Sequence, residues 1–456
     1  MQHHAPYHPT RTLLAACAAA ALALPALAAV SADEAKQLGS TLTACGAEKA
    51  ANKDGSIPAY SGGLTGTLKS PRPGLPPVLF ADEKPLLQLK ADNADAHAAR
   101  LSDGHLYLLK NYPGFRIDVY PTHRSFAVPQ FVADNCVFNA SNAKVANEAV
   151  VGHKGAVPFP IPKTGLEAMF NNMWTWRGAD RQINAETWFV SAAGKRSLAT
   201  ANLLTEAYPY FYEGSGRKDG WDGKLRGAVI VEVTAPAYSA GEKTLILGPT
   251  DPIGQETQGW TYFTGQRRLR KIPNVQYDVP FPITSGNTNY DDNYGFNGAT
   301  DRYDWKLVGK KEMFVPYNNN NVNHVDDLDK LMGPNFVNPD HVRFELHRVW
   351  VVDATLKAGA RHTVPKRRFY IDEDSWNIVS TDQWDAKGQF WKNINVLSWV
   401  YPEVPATTNF QLVVYNVQSK AYNVQNTLNR APGGVNFKAQ QPDFYTTQSL
   451  ERQGVR

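Results

Sequence analysis

From residue 185 onward the chain alternates with period two, and one of its strands is apolar on both sides. Along 389–401, Trp391, Leu397, Trp399 and Tyr401 share one face. Phe390, Ile394, Val396 and Val400 share the other. A sheet with one face in water does not carry such a strand, because its solvent side would be polar. A second strand, near 225–233, sets Leu225, Val229, Val231 and Val233 against Arg226, Ile230, Glu232 and Thr234. The chain must therefore cover a large sheet twice. A curved sheet wrapped around a helix or cavity does this, and so does an ordinary sandwich. The alternation leaves both open.

Candidate strands run over 186–193, 224–234, 242–248, 258–264, 267–272, 303–314, 343–356, 364–372, 376–383, 387–400 and 408–418. Turns such as Ala193-Gly194-Lys195 and Ala240-Gly241-Glu242 punctuate them, which predicts an antiparallel meander. Before residue 185 the pattern differs. Ser31-Ala32-Asp33-Glu34 is a capping box for a short helix ending near Gly39. Pro71, Pro73, Pro76 and Pro77 then exclude long elements. A helix is expected over 92–110 and a strand over 115–120. Thr164 and Glu167 make a second capping box, opening a helix over 165–177. Its Leu166, Met169, Phe170, Met173 and Trp176 form one broad apolar face. The expected organisation is a leader over 1–28, an extended arm over 29–90, a curved-sheet domain over 91–420 and a tail over 421–456.

Residues 1–28 read as a secretory signal. Arg11 precedes an apolar stretch from Leu13 to Leu24, and Ala26-Leu27-Ala28 fits a cleavage site. That stretch is too short to span a bilayer, and no later uncharged run is long enough. A competing reading makes Leu14-Ala15-Ala16-Cys17 a lipobox with Cys17 lipidated. Cys45 and Cys136 remain after cleavage. In an oxidising compartment they are expected to pair, closing a loop worth roughly 4–5 kcal/mol; two separate thiols are the alternative.

Chemical signatures are sparse. The net charge is +4 over 456 residues with no dense basic run, which argues against nucleic acid. No His or Cys spacing matches zinc, and nucleotide-binding and nucleophile-elbow motifs are missing. No catalytic residue, metal ligand or cofactor is assigned. The oxygen-rich runs Asn287–Asn293 and Asn318–Asn321 read as polar loops. The aromatic content is high, with 20 Phe, 20 Tyr and 11 Trp. Trp260 and Tyr262 lead through a turn at Gly265 into Arg268 and Arg270, a hairpin suited to structural salt bridges or to an anionic ligand.

Ordered segments along the chain resemble a known family. They include Gly46-Ala47-Glu48-Lys49-Ala50, Asp54-Gly55-Ser56-Ile57-Pro58, Asp118-Val119-Tyr120-Pro121-Thr122 and Pro158-Phe159-Pro160-Ile161-Pro162. Further on stand Gly265-Gln266-Arg267-Arg268, Pro273-Asn274-Val275, Asp301-Arg302-Tyr303-Asp304-Trp305 and Asp372-Glu373-Asp374-Ser375-Trp376. Together these resemble the proteobacterial family of unknown function 1329, described as outer-membrane lipoprotein-sorting-like. The resemblance implies a fold similar to the periplasmic Lol carriers: mainly β with α, a large curved antiparallel sheet forming a half-open barrel with helices on its concave side. It implies a periplasmic carrier for lipid or another hydrophobic ligand, working beside an inner-membrane transporter and an outer-membrane protein. No catalytic residues come with it. The expected ligand-binding residues are Trp260, Tyr262, Arg268, Arg270, Trp391, Trp399 and Tyr401. An adaptor on an envelope transport complex and a periplasmic hydrolase are the alternatives.

Overall fold

A computed structural model of the chain describes Met1 and residues 30–214, 222–272 and 278–454. The expected leader, its cleavage site at Ala28 and the Cys17 alternative lie outside the described residues, as does the segment Pro273-Asn274-Val275. Four short strands, β1 (Leu87–Leu89), β2 (Ile117–Val119) and the paired β3 (Lys144–Ala146) and β4 (Ala149–Val151), accompany the N-terminal helices. Two meanders follow. The first comprises β5 (Asp180–Val190), β6 (Arg196–Ala207), β7 (Leu225–Ala235), β8 (Lys243–Pro249), β9 (Gln258–Phe263) and β10 (Arg268–Lys271). The second comprises β11 (Tyr303–Pro316), β12 (Phe344–Leu356), β13 (Lys366–Asp372), β14 (Ile378–Trp384), β15 (Phe390–Tyr401), β16 (Ala406–Asn416) and β17 (Ala421–Thr427). A short β18 (Val435–Asn436) closes the series.

All but β3 and β4 belong to one sheet of 16 strands. Within each meander, neighbours in sequence pair antiparallel. β17 pairs with β5 and so fuses the two meanders edge to edge. β12 also meets β2 in parallel, which makes the sheet mixed. The path runs from β1 to β10 without closing into a barrel.

The two-sided strands are explained by cover on both faces. The helix α4 (Gly165–Trp174) buries Met169, Phe170 and Met173 in one cluster with Ile394, Val396, Leu412 and Val414. The helix α2 (Asp103–Asn111) buries Leu108 and Leu109 in another cluster with Leu397, Val413 and Tyr415. Residues 412 and 413 thus point to opposite faces, as the period of a strand requires. Trp399 and Tyr401 join a third cluster with Ile183, Phe410 and Leu428.

Local boundaries moved where caps decide them. Both capping boxes form, at Ser31 and at Thr164. α4 ends at Thr175, whose ψ of 151° is extended, three residues short of Gly178. The helix expected over 92–110 splits, because Ser102 accepts the His105 N–H and starts α2 anew. Two long strands escaped the sequence pattern, β6, and β17 beyond residue 420, as did the short β1, β3, β4 and β18. β17 pairs with β16 and β5 and is the seam between the meanders.

The arm is ordered by specific bonds. Cys45 and Cys136, on the helix α3 (Gln130–Asn142), form a disulfide with Cα atoms 5.1 Å apart. Gly46 follows at φ +100°, and a Cβ there would sit 1.9 Å from the Pro160 carbonyl oxygen. Only glycine fits that approach. Asn320 donates to the carbonyls of Pro77 and Val400, and Asn321 to that of Leu79, so the asparagine run ties the proline-rich arm to the sheet.

Candidate functional site

Two polar constellations stand out, and they differ in what they can do. The first sits where the arm meets the turn between β13 and β14. Asp372 accepts from the Ser375 N–H and hydroxyl at 2.8 and 2.6 Å, an Asx-type turn that presents the next carboxylates. Arg124 grips Asp374 in two bonds of 2.6 and 2.9 Å, with both side chains 2% exposed. Lys310 and Arg348 both reach Glu373. His347 stacks on Tyr317 at 3.7 Å and bonds Glu345 at 2.9 Å. Burial would raise Glu345, but the His347 hydrogen bond and charge, with Arg343, hold it below the ordinary glutamate value. Burial, reinforced by the charge of Asp374, pushes Asp372 up.

His347, Asp372 and Asp374 each place a ligand atom within 4.8 Å of the others. Asp374 is already taken by Arg124, and His347 by Glu345. The cluster therefore works as a buried ion-pair network that seats the arm. Burying these charges costs several kcal/mol each, and only mutual pairing offsets it.

The second constellation is an open cleft with a cavity volume of about 160 Å³. It lies between strands β6 to β8 and the segment around Tyr290–Gly298, beside Arg177. Its apolar wall includes Val229 and Ile246, which pair across β7 and β8 and are only half-buried. This contrasts with β16 and β17, which are buried almost throughout. The opposite side of the same wing is covered. There the helix α6 (Thr447–Gly454) sets Leu450 among Ile230, Leu245 and Tyr262.

Two arginines line the cleft, Arg177 and Arg226, and Arg181 stands behind its Glu206. Arg181 is neutralised: its Nε bonds Glu206, which also accepts from the Tyr294 hydroxyl. Its Nη1 donates to Thr408 at 2.7 Å. Arg177 is 3% exposed and, among the described residues, donates only to the Asn172 carbonyl, at 2.7 Å. It lies over the Tyr294 ring at 4.7 Å, a cation–π contact. Arg226 donates to the Met173 carbonyl at 3.2 Å and to Asn297 Oδ1 at 2.6 Å. The Nε of Arg177 and that of Arg226 are buried and have no acceptor. Burial holds Arg226 below the ordinary arginine value; Tyr210 opposes this and the charge of Arg177 adds to it.

Arg226 reaches the cleft through a β-bulge. Leu225 pairs with Pro249 and Gly227 with Gly248, so Arg226 is the extra residue. A bulge re-aims a side chain in this way. Simple parity assigned Arg226 to the face of Ile230, away from Val229. Arg177 was also missed. Its only sequence signal is an arginine directly after the apolar face of α4.

The expected ligand-binding residues are spread over several places, and none lines this cleft. Trp260 and Tyr262 pack under α6. Arg268 and Arg270 are exposed on β10, Arg270 donating to Gln266 at 2.8 Å, and neither pairs with Asp301 or Asp304. Trp391 is half-buried and carries the Lys392 ammonium 3.9 Å from its ring centre. Trp399 and Tyr401 are core, Trp399 donating to Gln411 at 3.0 Å.

Together these features define a mostly β protein on an open mixed sheet, with a charge-stapled arm and one cationic cleft. The chain belongs to the family described as "Protein of unknown function (DUF1329)", whose profile matches residues 88–451. It is 36% identical over 452 residues to Uncharacterized protein PA3922 of Pseudomonas aeruginosa, covering 95% of this chain and 96% of that one. Among solved structures it is similar to a DUF1329 family protein from Desulfovibrio piger, at 15% identity and TM-score 0.42, covering 63% of this chain and 97% of that one. It is also similar to a putative outer membrane lipoprotein-sorting protein domain from Vibrio parahaemolyticus, at 14% identity and TM-score 0.42 over 64% of this chain and 99% of that one. A LolA superfamily protein from Nitrosomonas europaea matches at 10% identity and TM-score 0.36, over 63% of this chain and all of the other (100%).

Proposed function

We propose that this protein is a periplasmic, non-catalytic carrier for a hydrophobic or amphiphilic ligand, exchanging it with membrane-bound partners of the envelope. The observation that supports this is the contrast within one sheet. Strands β14 to β17 are buried on both faces almost throughout, whereas the wing of β6 to β8 keeps Val229 and Ile246 half-exposed above an open cleft. An apolar wall facing a polar side of arginine, tyrosine and asparagine suits a small amphiphile. In this reading the cleft takes the ligand, and Trp260, Tyr262, Trp391, Trp399 and Tyr401 act as scaffold. No helix among the described residues is long and apolar enough to cross a membrane. Native mass spectrometry of protein purified from its own envelope fraction, followed by organic extraction, tests the proposal. Bound lipid-sized mass is the expected result. Absence of co-purifying lipid, together with no uptake of fluorescent fatty acid, would overturn it.

A further inference from the structure

The cleft holds more positive charge than its own carboxylate can neutralise. Among the described residues lining it, Glu206 is the acidic side chain, and it is engaged by Arg181 and Tyr294. Arg177 and Arg226 form no ion pair with any described carboxylate. Their bonds go to the carbonyls of Asn172 and Met173 and to the amide oxygen of Asn297. Each keeps a buried Nε donor unused. Arg177 is 3% exposed and Arg226 partly buried; burying a guanidinium such as Arg177 without an anion costs several kcal/mol, and an unused buried donor costs about 1–3 kcal/mol more. A fold that only needed packing would fill these places with apolar side chains.

Both arginines are also fixed in place. The bulge at Arg226 and the extended backbone after α4 aim them into the same cleft. The rings of Tyr208 and Tyr294 flank Arg177 at 5.8 and 4.7 Å and hold its plane. Planar, pre-oriented guanidiniums match the oxygens of phosphate and carboxylate in paired hydrogen bonds. The apolar pair Val229 and Ile246 lines the same space.

We infer that Arg177 and Arg226 form an anion-binding site that takes the phosphate or carboxylate head of the ligand, with the apolar wall taking its tail. This rests on the carrier reading for the tail, while the anion site stands on the arginines themselves. The test compares dodecyl phosphate with dodecanol by isothermal titration calorimetry, and adds inorganic phosphate as a third arm. The variants are Arg177→Gln/Arg226→Gln and the charge-conserving Arg226→Lys, each checked for native circular dichroism.

The expected result is that the wild type binds dodecyl phosphate at least tenfold more tightly than dodecanol. The double variant erases that gap while still binding dodecanol, and Arg226→Lys, which keeps the charge but loses the paired donors, keeps only part of it. Equal binding of the two amphiphiles by the wild type overturns the anion site and leaves the carrier reading intact. A gap that persists in the double variant also overturns it. If neither amphiphile binds, the carrier reading fails. Inorganic phosphate then decides: binding lost in the double variant keeps the site as one for free phosphate, and no binding in the wild type removes it.

Discussion

The indole N–H of Trp376 donates to the carbonyl of Cys45 at 2.8 Å, joining residues 331 positions apart. Trp376 is fully buried and stacks on Trp350 at 6.1 Å, and Cys45 is itself bound to Cys136. A sheet strand, a turn and the arm thus meet at one point. The arm is therefore part of the fold's stability. Replacing both cysteines by alanine is expected to lower stability by about 2–4 kcal/mol, and Trp376→Phe by about 1 kcal/mol from the lost bond. The two changes act on one contact, so their sum should exceed the effect of combining them. Urea denaturation of the single and combined variants checks this, and strictly additive losses would contradict it.

Arg124 and Asp374 make the second anchor. Their two hydrogen bonds are buried, with 2% exposure on each side chain. Breaking one partner strands the other charge, so Arg124→Ala or Asp374→Asn is expected to cost about 3–5 kcal/mol. Replacing both by apolar residues should recover part of the loss, because neither charge is then left alone. A double-mutant cycle measured by chemical denaturation tests it; a double variant weaker than either single would reject the account.

Much of this fold was legible, and the exceptions have physical causes. The strand Phe390–Tyr401 announced a sheet covered twice, and α4 and α2 provide that cover. The capping boxes at Ser31 and Thr164 marked true helix starts. Strand β6 was hidden because its alanines and leucines favour helix, and pairing to β5 and β7 overrides that preference. β17 was hidden because Asn423 and Gln425 look like loop residues. In the fold Asn423 is buried and bonds Asn287 at 2.7 Å. The cleft was not legible at all. It depends on one bulged residue, and a bulge shifts register without any periodic signal. Aromatic richness instead drew attention to Trp399 and Tyr401, which are core.

Acid stability should show two opposed titrations at the foot of α2. His105 is buried against Asn395, and burial, opposed by that hydrogen bond, pushes it down to about 4. Its unfolded value is 6.5, so its contribution is full above that pH and is lost as pH falls toward 4. Asp382 receives the Gly104 N–H and the Tyr370 hydroxyl, yet burial pushes it up to about 6 from 3.8. Its contribution is full below 3.8 and is lost as pH rises through 6. Each is worth roughly 3 kcal/mol, so they nearly cancel between the two limits. His105→Gln should therefore tilt stability downward as pH rises, and Asp382→Asn downward as pH falls, relative to wild type. Difference curves from urea midpoints at stepped pH read this out, and parallel curves would refute the assignment.

The apolar wall of the cleft gives the last expectation. Val229 and Ile246 face each other across β7 and β8 and are half-buried, so the fold gains little from them. Val229→Asn with Ile246→Asn is expected to change stability by no more than about 1 kcal/mol, the range of substitutions made away from a core. The same pair would contact a ligand tail. At roughly 0.8 kcal/mol per buried methylene, losing two or three such contacts weakens binding of a fluorescent fatty acid about tenfold or more. Val413 is the control: it is 2% exposed, on the α2 side of the sheet. Val413→Asn should destabilise strongly and leave the affinity of the remaining folded protein unchanged. If instead the wall variants unfold the protein while affinity per folded molecule stays constant, Val229 and Ile246 are core and the ligand lies elsewhere.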